Sequence, residues 1–396
     1  MKLFRTLISV DEALRTVLAY AKRTELEELG FADALNRVLA EDIHSPVDSP
    51  PFDRAAMDGY AIRGEDSFGA SPTKAVLLRI LNKHVEIGAG ECFPIQTGMP
   101  IPRGSNAVVM LEYTKERGSD LEIFKPVTPG KNVSFKGEDV KKGDVVLKEG
   151  RVLRAHDVGM LASIFKRRVR VCKRAKLGII STGDEILDPS MEGEKGIADV
   201  NSYVLAALTK KIANPHRIGI VRDNYEAIKT AISFGLEDYD GLLTTGGSSV
   251  GKRDFLADAV ADLGEIKFHG VAIRPGEPTG FGIIKDKPVF LLPGYPVAAI
   301  SAFEMLVRPF LYSMHGVKEE SAKIFAIASK KIPSAVGRTD FVRVKLIRTE
   351  NECYVEPIRV SGSGILSSMT KSNGFVLIEE NKEGIEEGER VAVVAY

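Results

Sequence analysis

The chain has 396 residues, 44% of them apolar and 27% charged, a globular composition at a length that predicts roughly two to four domains. Its 54 basic residues are balanced by 54 acidic ones, which argues against a generic nucleic-acid or membrane-surface binder with a basic excess. Cys92, Cys172 and Cys353 are far apart and the six histidines are scattered, so neither a disulfide framework nor a zinc motif is readable. No apolar run approaches the ~18 residues of a membrane span, and Met1-Lys2-Leu3-Phe4-Arg5 does not open a signal peptide. The expected location is cytoplasmic.

In chain order, Ser9-Val10-Asp11-Glu12 fits a capping box ahead of a helix with Ala13, Leu14, Val17, Leu18 and Ala21 on one face. A second helical stretch is expected over 31–39. The proline-rich Ser45-Pro46-Val47-Asp48-Ser49-Pro50-Pro51-Phe52-Asp53 cannot be a helix interior. From about Tyr60 to Leu147 the chain reads as short strands and turns, with 107–111 and 144–147 as clear candidates. The segment 153–164 is helical again, as if the first region were re-entered after a β-rich insert. From Lys176 strands and helices alternate. Strands are expected at 177–180, 218–221, 241–244 and 289–292. Helices are expected behind Asn201 and Asn224 as caps, over 255–263 and over 297–312. That order predicts a parallel sheet with helices on both faces and its post-strand loops at one edge. After Gly316 the alternation at 341–346, 354–358 and 391–394 predicts a small all-β domain.

Four of those loops carry chemistry. In the third, Gly246, Gly247 and Gly251 allow tight turning and present N–H groups to an anion. Ser248 and Ser249 add hydroxyls, Lys252 and Arg253 add charge, and a helix begins near Asp254. A glycine turn needed only for packing is the alternative, though three glycines and two serines exceed that need. Gly246 to Lys252 fits part of a P-loop, but Arg253 stands where a metal-ligating hydroxyl is required. The first loop, Ser181-Thr182-Gly183-Asp184-Glu185, offers two carboxylates for magnesium or for ligand hydroxyls, or is simply a solvated turn. The second, Arg222-Asp223-Asn224, is either a site loop or a helix cap. The fourth, Leu292-Pro293-Gly294-Tyr295-Pro296, is a rigid turn suited to a pocket floor, or a strand stop.

Together with Pro50-Pro51-Phe52-Asp53, Ala56-Met57-Asp58-Gly59-Tyr60-Ala61, Gln96-Thr97-Gly98, Gly137-Glu138-Asp139-Val140, Gly337-Arg338 and Ser361-Gly362-Ser363-Gly364, these loops come in an order that resembles the MoeA family. That is the molybdopterin molybdenumtransferase family, which includes the gephyrin E domain, and the resemblance spans the whole chain. It implies a multidomain α/β and β architecture. A central, doubly wound MogA-like α/β domain would occupy 174–316 and a β-rich inserted domain 46–145. A split linking helical domain would occupy 1–45 plus 146–173, and a C-terminal β-barrel 317–396. It implies insertion of molybdate, or tungstate, into adenylylated molybdopterin with release of AMP and with Mg2+. It also implies a homodimer with a composite active site and a MogA-like adenylyltransferase acting upstream.

By the same resemblance Asp58 and Thr97 belong to the second-domain side of the cleft, and Glu185, Asp223 and Asp254 form the acidic set of the third. Asp58, Glu185, Asp223 and Asp254 would position the metal. Thr182, Gly183, Gly246, Gly247, Ser248, Ser249, Arg274, Pro293 and Pro296 would hold or shape the molybdopterin pocket. The sequence departs from the pattern at Arg274 and Glu277, where lysines are usual, and at Tyr295, where asparagine is usual. Arg274 keeps the charge and Glu277 inverts it, for which Lys252 and Arg253 are candidates to compensate. A catalytically weak paralogue acting as a dimeric cofactor-binding or scaffold protein is the second reading, and a P-loop-type ATPase the third.

Overall fold

The computed structural model describes residues 7–83, 86–191, 195–246, 254–317, 323–350, 352–358, 362 and 364–396. The chain forms two compact units, Glu28–Val171 and Met1–Glu27 together with Cys172–Tyr396.

In the first unit a six-stranded sheet runs in the order Ala107–Met110, Gly59–Ile62, Glu91–Ile95, Val76–Ile80, Asp120–Ile123, Thr114–Arg117. Successive strand residues point to opposite faces. Tyr60, Ile62, Cys92 and Val109 therefore enter one core, and Ala61, Ile95 and Val108 another. Gly59 is required by close approach: a Cβ there would lie 1.9 Å from the Val109 carbonyl oxygen. Two motifs far apart in sequence are stitched together by backbone. The Gly137 N–H donates to the Pro50 carbonyl at 2.9 Å, and the Asp139 N–H to that of Ser49 at 3.1 Å. A separate cluster joins Leu39 and Ile43 to Leu153, Leu161 and Ile164, with the helix at Ala155–Ser163. The expected helix over 31–39 is only a 3-10 turn, Phe31–Asp33. The expected linking domain is divided. Residues 28–45 pack with the segment after 146, while the helix Val10–Ala19 packs against the α/β core through Val10, Ala13 and Val17. Half of the predicted capping box forms there: Ser9 Oγ accepts the Glu12 N–H at 3.2 Å.

The second unit holds the α/β sheet, in the order Asn214–Val221, Lys176–Thr182, Gly241–Thr245, Lys287–Leu292, Gly280–Ile284, Glu265–His269. The first four strands are parallel, as expected, but the last two join antiparallel. Both faces of the central strands are covered, so Lys176–Thr182, Gly241–Thr245 and Lys287–Leu292 are near-continuously buried, whereas Asn214–Val221 at the sheet edge is mostly exposed. Ile179, Leu243 and Phe290 face one core, with Leu205 and the helices that close the domain; Ile180, Leu242 and Leu291 face the helices Tyr225–Asp238 and Phe255–Leu263. The first of the capped helices starts two residues early, at Val200, with Asp199 rather than Asn201 as its cap. Asn224 caps the second as predicted.

The long helix Pro296–Met314 corrects the expectation of no span-length apolar segment. By length and composition it would cross a membrane, yet two-thirds of its apolar window is buried inside this domain. It continues past Pro309, which lacks the N–H for the preceding turn, by opening a π-helical turn at Phe303–Val307.

The C-terminal strands have their own core, including Ile332, Val344, Val355 and Val393. Thr339–Arg348 pairs with both Cys353–Pro357 and Gly374–Ile378, while Lys323–Ala328 and Arg390–Ala395 complete the circuit. The result is a closed five-stranded barrel, which leaves no free sheet edge.

Candidate active site

In the four parallel strands the carboxyl ends point the same way, so the four loops singled out in the sequence share one sheet edge. They are tied to one another by short hydrogen bonds. The Gly183 N–H donates to the Val221 carbonyl at 3.2 Å, and the Asp223 N–H to Asp184 Oδ1 at 3.2 Å. Asn201 Nδ2 donates to Thr245 Oγ1 and to the Gly294 carbonyl, both at 2.7 Å, and Thr245 Oγ1 donates to the Pro293 carbonyl at 3.1 Å. Gly246 is held against the first loop: its φ is +129°, and a Cβ would lie 2.2 Å from Thr182 Oγ1. Thr182 is buried in that contact. Gly247, Ser248, Ser249, Gly251, Lys252 and Arg253 lie outside the described residues, as do Ser361 and Ser363.

The edge is acidic. Asp184, Glu185 and Asp223 are exposed there. Asp223's pKa is raised above the ordinary 3.8, first by partial desolvation and then by the negative field of Asp184 and Glu185. Asp254 caps the helix Phe255–Leu263, its Oδ1 accepting the Ala257 N–H at 3.2 Å. Burial raises its pKa, although His269 Nε2 stands 3.4 Å from its other oxygen and opposes the rise. Among the described residues no three His, Cys, Asp or Glu side chains converge as a preformed metal cage.

Asp58 and Thr97 belong to the other compact unit, and the fold brings these two together. The Thr97 N–H and Oγ1 donate to Asp58 Oδ1 at 2.7 and 2.8 Å. Both bonds favour the carboxylate, and they hold Asp58's pKa below the usual range.

Beside the sheet edge, between the α/β core and the barrel, lies a cleft of about 1070 Å3. Ile273–Arg274 pairs with Thr339 and Asp340 of the barrel. Arg274 is ion-paired to Asp340, which also accepts the Ser334 hydroxyl at 2.7 Å. Glu277 faces Arg338 at 4.0 Å. The cleft is lined by Arg274, Glu277, Pro293, Tyr295 and Arg343; Pro296 opens the helix behind it.

Sequence reasoning missed two residues at this edge. Asn201, expected as a cap, is instead a buried tie between loops, its Oδ1 buried with no hydrogen-bond partner among the described residues. His269 ends the strand Glu265–His269, whose alternation Glu-Ile-Lys-Phe-His is a legible strand signal.

An α/β domain with its loops gathered at one edge, a β-rich unit and a closed C-terminal barrel define a multidomain α/β and β protein with a ligand-type sheet edge. Residues 8–164 match the "MoeA N-terminal region (domain I and II)", 178–313 the "Probable molybdopterin binding domain" and 326–396 the "MoeA C-terminal region (domain IV)". The chain belongs to the MoeA family. It is 43% identical to a molybdopterin biosynthesis protein of Methanocaldococcus jannaschii, itself assigned only provisionally, over 99% of each chain. It is 32% identical to the molybdopterin molybdenumtransferase of Haemophilus influenzae, over 98% of this chain and 99% of the relative. The crystal structure of the molybdopterin biosynthesis MoeA protein from Pyrococcus horikoshii superposes with a TM-score of 0.85 at 37% identity, covering 99% of this chain and 100% of the other. Family membership replaces the P-loop ATPase reading.

Proposed function

We propose that this chain is a molybdopterin molybdenumtransferase that inserts molybdate, or tungstate, into adenylylated molybdopterin and releases AMP. The observation that carries the reading is the juxtaposition of an acidic sheet edge with a cleft of about 1070 Å3 holding arginines. Such a site suits a ligand that brings phosphates, a metal and a planar ring system together. Mg2+ suits the exposed carboxylates that share one field at this edge. It is usually held by one or two carboxylates plus waters and substrate phosphate, and a cation relieves the repulsion from Asp184 and Glu185 that adds to desolvation in raising Asp223's pKa.

Glu185 and Asp223 would hold that ion in this reading, which would supply charge neutralisation at the adenylate phosphate, while Asp254 is engaged by the Ala257 N–H and His269. The chain's own residues do the rest. Gly183 and Gly246 keep the loops close, Pro293 and Pro296 make the pocket wall rigid, and Arg274 and Arg343 balance anionic charge in the cleft. Asp58, ionised by Thr97, would complete the site from a second subunit of a homodimer. The adenylylated substrate would come from an upstream adenylyltransferase of MogA type.

Incubating the protein with Mg2+, adenylylated molybdopterin and either oxyanion should release AMP. Pterin binding without AMP release from either anion would overturn the reading.

One observation favours a second reading, a weak paralogue serving as a cofactor-binding scaffold: Glu277 places a negative charge in the cleft. Glu277→Lys should then tighten the apparent oxyanion affinity by about tenfold (~1.4 kcal/mol). An unchanged affinity would show that Arg338 already neutralises the carboxylate.

A further inference from the structure

Tyr295 is 61% exposed, unusual for a large aromatic between two prolines at the end of a buried strand. Its backbone is held firmly. Pro293 and Pro296 restrict the turn, the Gly294 carbonyl is fixed by Asn201, and the Tyr295 carbonyl accepts the Ala299 N–H at 2.9 Å. The ring lines the cleft with Arg274 and Arg343. On the barrel side it meets Gly364, where a Cβ would lie 3.3 Å from ring atom Cδ1 and 3.6 Å from Cε1. Gly364 does not have a positive φ, so backbone conformation does not require a glycine there. What glycine supplies is an uncovered ring.

We propose that Tyr295 is a stacking platform for the planar, nitrogen-rich heterocycle of the phosphate-bearing ligand that enters this cleft. The inference rests on the function proposed above. A rigidly placed, solvent-facing ring gains from covering by another flat π system, and little ordering entropy opposes that contact. Neighbouring arginines give the same ligand's phosphate a counter-charge. Adenine and pterin share this chemistry, and both are parts of the adenylylated substrate.

The chain has no tryptophan, so Tyr295→Trp introduces a single indole reporter. Titrations with AMP and with molybdopterin should quench its emission for the ligand whose ring stacks there. Calorimetry on the other variants should show Tyr295→Ala weakening that ligand by about tenfold, with Tyr295→Phe binding as the parent does. A loss confined to AMP assigns adenine and one confined to molybdopterin assigns the pterin; either supports the platform. Equal binding by Tyr295→Ala, with the parent protein binding normally, overturns it. So does a Tyr295→Phe defect as large as that of alanine, which would assign the effect to the phenol hydroxyl. If the parent protein binds neither ligand, the proposed function fails first and the platform with it, a result distinct from a defect in the variants alone.

Discussion

At Asp58 a single carboxylate oxygen receives both the N–H and the hydroxyl of Thr97. Asp58→Asn keeps an oxygen that accepts both bonds, so the variant should fold normally. AMP release should nevertheless fall on the order of 10²-fold, measured beside an unchanged thermal melt. Thr97→Val removes one of the two bonds that depress the pKa. The carboxyl then protonates at a higher pH, and the acidic limb of the pH–rate profile should move up. Asp223 has the opposite sign. Its folded-state pKa is raised, so its stability contribution is present below the ordinary 3.8 and lost as pH rises through the raised value. Asp223→Asn should therefore melt higher than the parent near neutral pH, and the difference should shrink as pH falls toward 3.8. Mg2+ should raise the melting temperature of the parent more than that of the variant. A variant that melts lower at neutral pH would show that the acidic crowding at this edge is not a strain. Thr97 was singled out as a candidate site residue only through the family resemblance, which also gave Asp58 its role. The residues alone left Asp223 as a possible helix cap, because the field of Asp184 and Glu185 depends on loops that meet only in the folded sheet.

Among the elements, the end of the strand Gly241–Thr245 leaves no room for a side chain at Gly246. Gly246 combines a φ of +129° with backbone and hydroxyl of Thr182 where a Cβ would sit. Gly246→Ala should cost on the order of 2–4 kcal/mol from strain and overpacking combined, read by denaturant melts, and should weaken pterin binding by displacing the first loop. Equal stability and binding would mean that the two loops can part freely. The helix Pro296–Met314 was legible as one long helix, but the π turn ahead of Pro309 was not. Nor were the strand Gly280–Ile284 and the pairing of Glu265–His269 with it, which turn an expected parallel sheet into a mixed one. Both strands are short, and only pairing partners brought in by the fold satisfy their backbones.

For the whole molecule, the proposed composite site makes a prediction that no single chain can test. Asp58→Asn and Asp223→Asn variants, each poorly active alone, should regain part of the activity when unfolded together and refolded as mixed dimers, since some sites then combine two intact halves. No recovery in a preparation verified to contain mixed dimers would place both residues within one chain's site.

The alternation of strands and helices after Lys176 and of apolar residues after Gly316 was sufficient to indicate the α/β core and the small β domain, because hydrophobic period and turn chemistry are local properties; the family was indicated by the resemblance of motifs along the whole chain. Tertiary structure decided the closure of the barrel, the docking of Val10–Ala19 on the α/β core, and the Arg274–Asp340 and Glu277–Arg338 pairings. It also changed the reading of the glycine-rich loop after Thr245, whose Gly246 is dictated by contact with Thr182 as much as by any ligand. Each of these depends on residues distant in the chain becoming neighbours, and local pattern carries no information about which neighbours they will be.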